Sequence, residues 1–253
     1  MNLRTTKIAV LIAAMGIAGT AFGQAEAIKP ITKDAEKQVE KIEKKLDQTG
    51  KDITKSIEKM KAAKKFEFGQ AAPEFELVDS AGKKHVLSEY VAAGNVVVLE
   101  WFNPQCPAVV KHYNAEGTGT TLKIEKELAN EKVVWLRINS GSEESKTSGK
   151  EYTEKVRKDW KIASPVLLDM DGKIGRKYAA RVTPEMFIIN REGVVAYHGA
   201  IDSDPSTRKV GDDLWVRDAV RAVIAGETVE KPQTKAVGCS IKYAPEKKAD
   251  AQD

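Results

Sequence analysis

The stretch Glu100-Trp-Phe-Asn-Pro-Gln-Cys-Pro107 closes an apolar run that begins at Val96. A nearly continuous apolar run is typical of a central strand that is buried on both faces of a sheet. Pro107 suits the first turn of a helix, where its missing N–H needs no partner. The sequence therefore predicts that Cys106 lies where a buried strand ends and a helix begins. The positive end of that helix favours the thiolate, so an accessible Cys106 would be a reactive thiol.

A second stretch, Arg181-Val-Thr-Pro-Glu-Met-Phe-Ile-Ile-Asn190, places Thr183-Pro184 directly before another apolar strand. Strand and helix patterns alternate along the rest of the chain. The predicted strands cover residues 74–78, 84–87, 96–102, 133–138, 166–169, 185–189 and 194–197. The predicted helices start at residue 107, break at 114–121, resume over 122–128, and cover 151–160, 173–180 and 214–225. This order predicts an α/β fold with a mixed central sheet and helices on both faces.

The two stretches together resemble a thioredoxin-fold redoxin of the thioredoxin-like superfamily. An acid lies six positions before the thiol, an aromatic residue four before it and a Pro directly after it, and Pro-Glu-Met-Phe-Ile-Ile follows later. The likeness is closest to the exported peroxiredoxin-like branch of the alkyl hydroperoxide reductase and thiol-specific antioxidant type. In that branch a single Cys-Pro replaces Cys-x-x-Cys, and a segment like Gly238-Cys-Ser-Ile-Lys-Tyr243 follows the domain. The resemblance implies a thioredoxin fold, here with an N-terminal β-hairpin extension.

The resemblance also implies roles for individual residues. The bond before Pro184 is expected to be cis, which places the Thr183 backbone beside the reactive sulfur, where it pairs with an incoming peptide. Glu100 takes the place of a buried acid beneath the sulfur and is expected to relay a proton. Alternatively, Glu100 points to water or pairs with a Lys. For Cys106 the alternative to a reactive thiol is a structural cysteine of the core. Pro107, Thr183 and Pro184 are the expected substrate-binding residues.

The departure from Cys-x-x-Cys decides how the reaction must continue. Val109 stands where a thioredoxin has its second cysteine, so another thiol must resolve Cys106. Cys239 is the only other cysteine of the chain. It is either the resolving partner or half of a permanent disulfide between the core and the tail. Peroxiredoxins also place a Thr or Ser three residues before the thiol and an Arg beside it. Asn103 stands at the first position, and Arg181 is the nearest candidate for the second.

The N-terminal residues indicate export. Residues 1–23 have a positive start, an apolar centre and the small-residue pattern Ala21-Phe-Gly23, as in a signal peptide. An uncleaved membrane anchor is the alternative, although the apolar stretch is shorter than the ~20 residues that span a bilayer. A periplasmic or secreted protein, with no stable membrane insertion after cleavage, is predicted. The charged tail 244–253 is predicted to be disordered.

Residues 24–65 form a charged region with twelve Lys against eight Asp or Glu. Apolar residues recur there at helical spacing, namely Val39, Ile42, Leu46, Ile53, Ile57 and Met60. This predicts an amphipathic helical linker that Thr49-Gly50 weakens or divides into two helices. The stripe is short for a coiled coil, so a solvated helix is favoured over a dimerisation element. The linker precedes a redoxin domain at 66–228 and a C-terminal segment at 229–253.

Composition narrows the function further. The part of the chain from residue 66 onward is slightly acidic and has no basic stripe, which argues against nucleic-acid binding. No metal site or cofactor is expected, since His85, His112 and His198 are scattered and the two cysteines are far apart. The partners expected are protein or small-molecule thiols and disulfides, and also peroxides. Two functions remain: an exported thiol oxidoreductase, or a non-catalytic thioredoxin-fold binding module with a Cys106–Cys239 staple.

Overall fold

The computed structural model describes residues 38–52, 68–113, 119–142 and 149–245. The predicted signal peptide, most of the charged linker, and residues 246–253 of the predicted tail lie outside these ranges. By internal contacts the chain divides into two units, residues 1–59 and 60–253. Within the described residues, no helix combines the length and the apolar character needed to cross a membrane.

In the first unit, helix α1 covers the described residues 38–52 and passes through Gly50 without a break. Of the two predicted alternatives, the division into two helices at Thr49-Gly50 is therefore wrong within this range. The hydroxyl of Thr49 donates to the carbonyl of Lys45, at 2.8 Å, so it bonds within the helix instead of ending it. The described part of the apolar stripe is solvated, since Val39, Ile42 and Leu46 are 42%, 57% and 66% exposed.

The second unit is an α/β domain. Its strands are β1 (Glu76–Asp79), β2 (Lys84–Val86), β3 (Val96–Trp101), β4 (Val133–Asn139), β5 (Val166–Leu168), β6 (Val182–Thr183), β7 (Glu185–Ile189), β8 (Val195–Gly199) and β9 (Cys239–Ser240). Its helices are α2 (Leu87–Ala92), α3 (Pro107–Val110), α4 (Thr120–Glu127), α5 (Lys150–Asp159), α6 (Lys173–Lys177) and α7 (Trp215–Ala225).

Seven strands form one sheet in the order β2-β1-β5-β4-β3-β7-β8, and β6 pairs with β9 in a separate ribbon. Strands β3, β4 and β5 are parallel, whereas β7 runs antiparallel to β3 and β8 antiparallel to β7. The sheet is mixed, which confirms the predicted fold class. The N-terminal hairpin was expected ahead of the core domain, but β1 pairs with β5 and extends the same sheet.

Strand β3 is the centre of the domain, and all six of its residues are buried. Because side chains alternate along a strand, Val97, Leu99 and Trp101 enter one apolar cluster. Val96 and Val98 enter the other, against α7. The continuous apolar run thus arises from burial on both faces, as the sequence predicted. Most predicted strands and helices agree with the structure within two residues. The short elements α2, β6 and β9 were not predicted.

Candidate functional site

Cys106 lies five residues after the end of β3 and is the N-cap of α3. Its backbone is extended, with φ −79° and ψ 119°, and Pro107 follows in the first turn. This is the strand-to-helix junction that the sequence predicted. Pro107 has no N–H to leave unpaired at that position, which explains why the helix can begin directly after the thiol.

The Thr183–Pro184 peptide bond is cis, as the resemblance implied. Thr183 belongs to β6 and lies directly opposite Cys239 of β9 in the antiparallel ribbon. The Cys106 thiol donates to the Thr183 carbonyl, at 2.9 Å. The backbone N–H of Cys239 donates to the Cys106 sulfur, at 3.2 Å. Cys106, Thr183 and Cys239 therefore meet in one cluster, and both cysteines are free thiols.

The two thiols differ in acidity. Burial opposes ionisation of Cys106. Hydrogen bonds from the Cys239 thiol and backbone N–H, from the Thr183 side chain and from the Val109 backbone N–H outweigh burial, so the pKa of Cys106 is lowered. Burial and the neighbouring Cys106 raise the pKa of Cys239 to about 11. Cys106 is consequently the thiol of this pair that ionises first.

Cys106 is buried, with 0% of its surface exposed. The expectation of an accessible thiol is therefore wrong for this state of the protein. Its surroundings are partly apolar, since Phe102, Val109 and Tyr113 belong to the same cluster. The remaining cover comes from residues 229–245, which we call the C-terminal strap. Cys239 of the strap packs on this cluster and is itself only partly buried.

The strap is held by specific contacts on both sides of Cys239. A Cβ at Gly238 would overlap the Thr183 carbonyl oxygen, so only glycine allows β9 to approach β6 this closely. Beyond the ribbon, the Ile241 N–H donates to the Arg181 carbonyl at 3.0 Å. The Tyr243 hydroxyl donates to the Ala180 carbonyl at 2.8 Å. These bonds join the strap to the segment that carries β6, and they place Cys239 over Cys106.

Glu185 fixes the segment before the cis bond. One carboxylate oxygen accepts the backbone N–H groups of Arg181 and Val182, at 2.6 and 3.2 Å. The other oxygen bonds His198 Nε2 at 2.7 Å. Burial opposes the charge, but His198 and the two N–H groups outweigh it, and the pKa of Glu185 is lowered. A buried carboxylate thus orients β6, whose Thr183 carbonyl contacts the thiol.

Glu100 is fully buried, so the alternative in which it points to water is wrong. The Tyr113 hydroxyl approaches its two oxygens at 2.6 and 2.7 Å, and Trp135 Nε1 donates to it at 3.0 Å. Arg137 lies 3.5 Å away and also pairs with Glu125. Burial raises the pKa of Glu100, while Arg137 opposes that rise. Within the described residues Cys106 is not among its partners, so the proton-relay role stays a prediction.

The two positions expected for peroxide binding do not reach the thiol. The Asn103 side chain accepts the Gln105 N–H at 3.0 Å. The Arg181 side chain is exposed. In the part of the chain that the structure describes, no hydrogen bond joins either side chain to the Cys106 sulfur. Sequence reasoning noted the segment from Gly238 to Tyr243 but assigned no role to either of these two residues, and it missed Arg137. Only Gly238, directly before Cys239, carried a signal that could have been used.

The described ranges contain no group of three or more His, Cys, Asp or Glu residues arranged to hold a metal ion.

Comparison with known proteins places this geometry in a family. The AhpC/TSA family model matches residues 68–198, which is more than half of the 253 residues. The chain belongs to the AhpC/TSA family and has the thioredoxin fold. The cluster formed by Cys106, Thr183 and Cys239 lies partly beyond the matched range, because Cys239 follows it. The strap therefore adds the second thiol to the family domain.

Two solved structures are similar over most of the chain. One is a hypothetical protein from Sinorhizobium meliloti 1021, with a TM-score of 0.63, 26% identity, and coverage of 71% of this chain and 96% of that one. The other is an uncharacterized conserved protein from Geobacillus kaustophilus, with a TM-score of 0.63, 27% identity, and coverage of 72% and 95%. No curated protein matches the chain significantly.

Proposed function

We propose that this protein is an exported thiol-disulfide oxidoreductase in which Cys106 is the reactive thiol and Cys239 is the resolving thiol. The observation that carries the proposal is the hydrogen bond from the Cys239 N–H to the Cys106 sulfur, at 3.2 Å. It brings two cysteines that are 133 residues apart into direct contact while both are reduced. Because the pKa of Cys106 is the lower of the two, Cys106 is the thiol that attacks the substrate first.

The reaction has two exchange steps. The Cys106 thiolate attacks a substrate disulfide, forms a mixed disulfide and expels one substrate sulfur as a thiolate, which takes up a proton. Cys239 then gives up its proton and attacks the Cys106 sulfur, which releases the second substrate thiol and forms the Cys106–Cys239 disulfide. The substrate gains two electrons and the protein loses them. An external thiol must return the pair to the reduced state.

Access to Cys106 requires the strap to move. Once β9 leaves, the backbone of Val182 and Thr183 is free to pair with an extended peptide beside the cis bond, since these residues pair with β9 in the closed state. The strap thus occupies the place that an incoming peptide would take. This arrangement favours peptide substrates that can displace β9 and pair with the edge of β6.

Peroxide reduction is the second candidate, because the family match favours it. The Cys106 thiolate would attack a peroxide oxygen, release an alcohol or water after protonation, and become a sulfenic acid. Condensation with the Cys239 thiol would then give the same disulfide and water. Asn103 and Arg181 do not contact the sulfur, and for this reason we favour disulfide exchange.

Export is part of the proposal and is supported by the signal-like pattern of residues 1–23. It is tested by expressing the full chain in a bacterial host and sequencing the N-terminus of the protein found outside the cytoplasm. A mature chain that begins at Gln24 supports export. A chain that keeps Met1 and stays in the cytoplasm contradicts it.

Trapping of intermediates tests the chemistry. Reduced protein is treated with glutathione disulfide or with hydrogen peroxide and analysed by mass spectrometry without reduction. The wild type should form a Cys106–Cys239 disulfide, Cys239→Ser should accumulate the adduct on Cys106, and Cys106→Ser should react slowly. The reduction potential then distinguishes a catalytic disulfide from a structural one, since structural disulfides have potentials below about −300 mV. A potential in that range, or an unreactive Cys106, would falsify the enzymatic assignment.

A further inference from the structure

A cavity of about 200 Å³ adjoins the cluster formed by Cys106, Thr183 and Cys239. Its lining includes Ala108, two residues after Cys106, and Pro184, which follows Thr183. It also includes Val237, two residues before Cys239. The cavity therefore borders both chain segments that carry the thiols.

His112 supplies a buried polar atom in the lining of this cavity. The residue is 1% exposed, and among the described residues its Nδ1 has no hydrogen-bond partner. Its Nε2 lies 3.8 Å from a carboxylate oxygen of Asp202. That distance is too long for a hydrogen bond, but the negative charge favours a proton on Nε2.

The protonation of His112 follows from its surroundings. Burial lowers its pKa to about 4, and the neighbouring Asp202 only partly opposes this. The ring is consequently neutral near pH 7. With the proton on Nε2, Nδ1 is a hydrogen-bond acceptor that faces no donor within the described protein. A buried acceptor of this kind calls for a ligand that donates a hydrogen bond.

Two donors complete the lining. The indole N–H of Trp215 is buried and has no acceptor among the described residues. Lys235 lies in the strap, and its ammonium makes no ion pair with any residue in the described ranges. A third cation, the Lys111 ammonium, is not available to a ligand, because it bonds the Asp202 carboxylate at 3.1 Å and the Asp204 carbonyl at 2.7 Å. The lining also holds the carboxylates of Asp202 and Asp204, which pair with Lys111 and Lys209. The Trp215 N–H and the Lys235 ammonium therefore remain for an anionic group such as a carboxylate.

We infer that this cavity binds a small thiol that also carries a carboxylate, and that this molecule exchanges with the Cys106–Cys239 pair. The carboxylate accepts from Lys235 and Trp215, the S–H donates to His112 Nδ1, and the apolar carbons lie against Ala108, Pro184 and Val237. The size fits, since an engineered cavity of about 150 Å³ holds benzene. The inference rests on the proposed function and names a substrate class for it.

The exchange is balanced with two molecules of the thiol. The first gives up its S–H proton and attacks the Cys239 sulfur of the oxidised pair, forms a mixed disulfide and expels the Cys106 thiolate. Cys239 is the more exposed sulfur, and the more acidic Cys106 is the better leaving group. The second molecule attacks the ligand sulfur of the mixed disulfide and releases Cys239. The products are the ligand disulfide and two reduced cysteines.

Binding is tested with propionate, which has the carboxylate but cannot react. Titration of the reduced protein is followed by NMR at the Trp215 indole N–H and at the His112 ring nitrogens. We expect a saturable shift at the Trp215 indole N–H, which donates to the carboxylate, whereas propionate has no S–H to donate to His112 Nδ1. Lys235→Gln should weaken binding about tenfold, the value of one charge-assisted hydrogen bond. The control Lys242→Gln removes the same charge from the strap, outside the lining of this cavity, and should leave binding unchanged. No saturable shift, or equal weakening by both variants, overturns the site.

Exchange is tested by reducing the oxidised protein with 3-mercaptopropionate, neutral 2-mercaptoethanol or cationic 2-aminoethanethiol, compared at equal thiolate concentration. The carboxylate thiol should react fastest, and excess propionate or Lys235→Gln should abolish its advantage. Equal rates for the three thiols overturn the substrate class even if propionate binds. If the proposed function itself is wrong, no Cys106–Cys239 disulfide forms. The propionate titration then still decides whether the carboxylate site exists.

Discussion

Two buried polar clusters lie beside β3, and they are built in opposite ways. Glu100 is held by the side chains of Tyr113, Trp135 and Arg137, two of which belong to the neighbouring strand β4. Cys106 is held mainly through backbone groups of the two-residue strands β6 and β9. The first cluster can open only if the sheet unfolds. The second can open when the strap detaches, so stability and access to the thiol are controlled by different residues.

The largest effect is expected at the Glu100 cluster. Arg137→Met removes the cation that pairs with both Glu100 and Glu125. The free energy of unfolding, measured with urea, should fall by about 3–5 kcal/mol, because a buried carboxylate is left uncompensated. Arg221→Met is the control, since Arg221 pairs with Glu127 on the surface. That variant should lose about 0–1 kcal/mol. Similar losses for the two variants would show that the buried pairs contribute little.

The second prediction concerns the strap. Gly238→Ala places a Cβ where the Thr183 carbonyl lies. β9 cannot then keep its pairing with β6, and such overpacking costs about 1–3 kcal/mol. Alkylation of Cys106 in native protein should become about 10-fold faster or more, since 1.4 kcal/mol corresponds to a factor of ten. Urea unfolding of the core should change less than in Arg137→Met.

Gly149→Ala is the matched control for this substitution. Gly149 precedes α5, and a Cβ there meets nothing within 4 Å. Its alkylation rate should equal that of the wild type. If Cys106 is alkylated as slowly in Gly238→Ala as in the wild type, the strap does not limit access to the thiol. The proposed difference between the two clusters would then be wrong.

The contrast also explains what the sequence could predict. The run over residues 96–102 predicted a central strand, because burial on both faces leaves a continuous apolar pattern. The same run, followed by Pro107, predicted the junction at Cys106, and the cis bond at Pro184 followed from the resemblance. The pairing of β6 with β9 was not predicted, because these strands have two residues each and show no periodicity. Arg137 was missed as the partner of Glu100 because the two residues meet only through the pairing of β3 with β4. Contacts of this kind depend on strand register, which periodicity alone does not give.

A smaller effect is expected at the far end of the strap. Tyr243→Phe removes the hydroxyl that donates to the Ala180 carbonyl and keeps the ring beneath Arg176. Loss of one hydrogen bond of about 1 kcal/mol should increase opening of the strap, and with it Cys106 alkylation, about fivefold. The control is Tyr178→Phe, whose hydroxyl donates to Pro73 in the core. It should lower the stability to urea without changing alkylation. Equal alkylation in the two variants would show that Tyr243 does not anchor the strap.

The smallest effect is on acidity, because a thiol is a weak hydrogen-bond donor. Cys239→Ala removes the Cys239 thiol that helps to lower the pKa of Cys106 but keeps the backbone N–H. The pKa of Cys106, measured by ultraviolet absorbance of the thiolate, should therefore rise. Cys106→Ala should act in the opposite direction, since the pKa of Cys239 falls from about 11 when its anionic neighbour is removed.

The lowered pKa also fixes how stability depends on pH. Cys106 binds its proton less tightly in the folded state, so its contribution is fully present above the pKa of the unfolded thiol and is lost as the pH falls through the lower, folded pKa. Cys239→Ala should reduce this contribution, and Arg137→Met should leave it intact. An unchanged Cys106 pKa in Cys239→Ala would mean that the backbone N–H and the helix alone favour the thiolate, and that the Cys239 side chain acts only as the resolving sulfur.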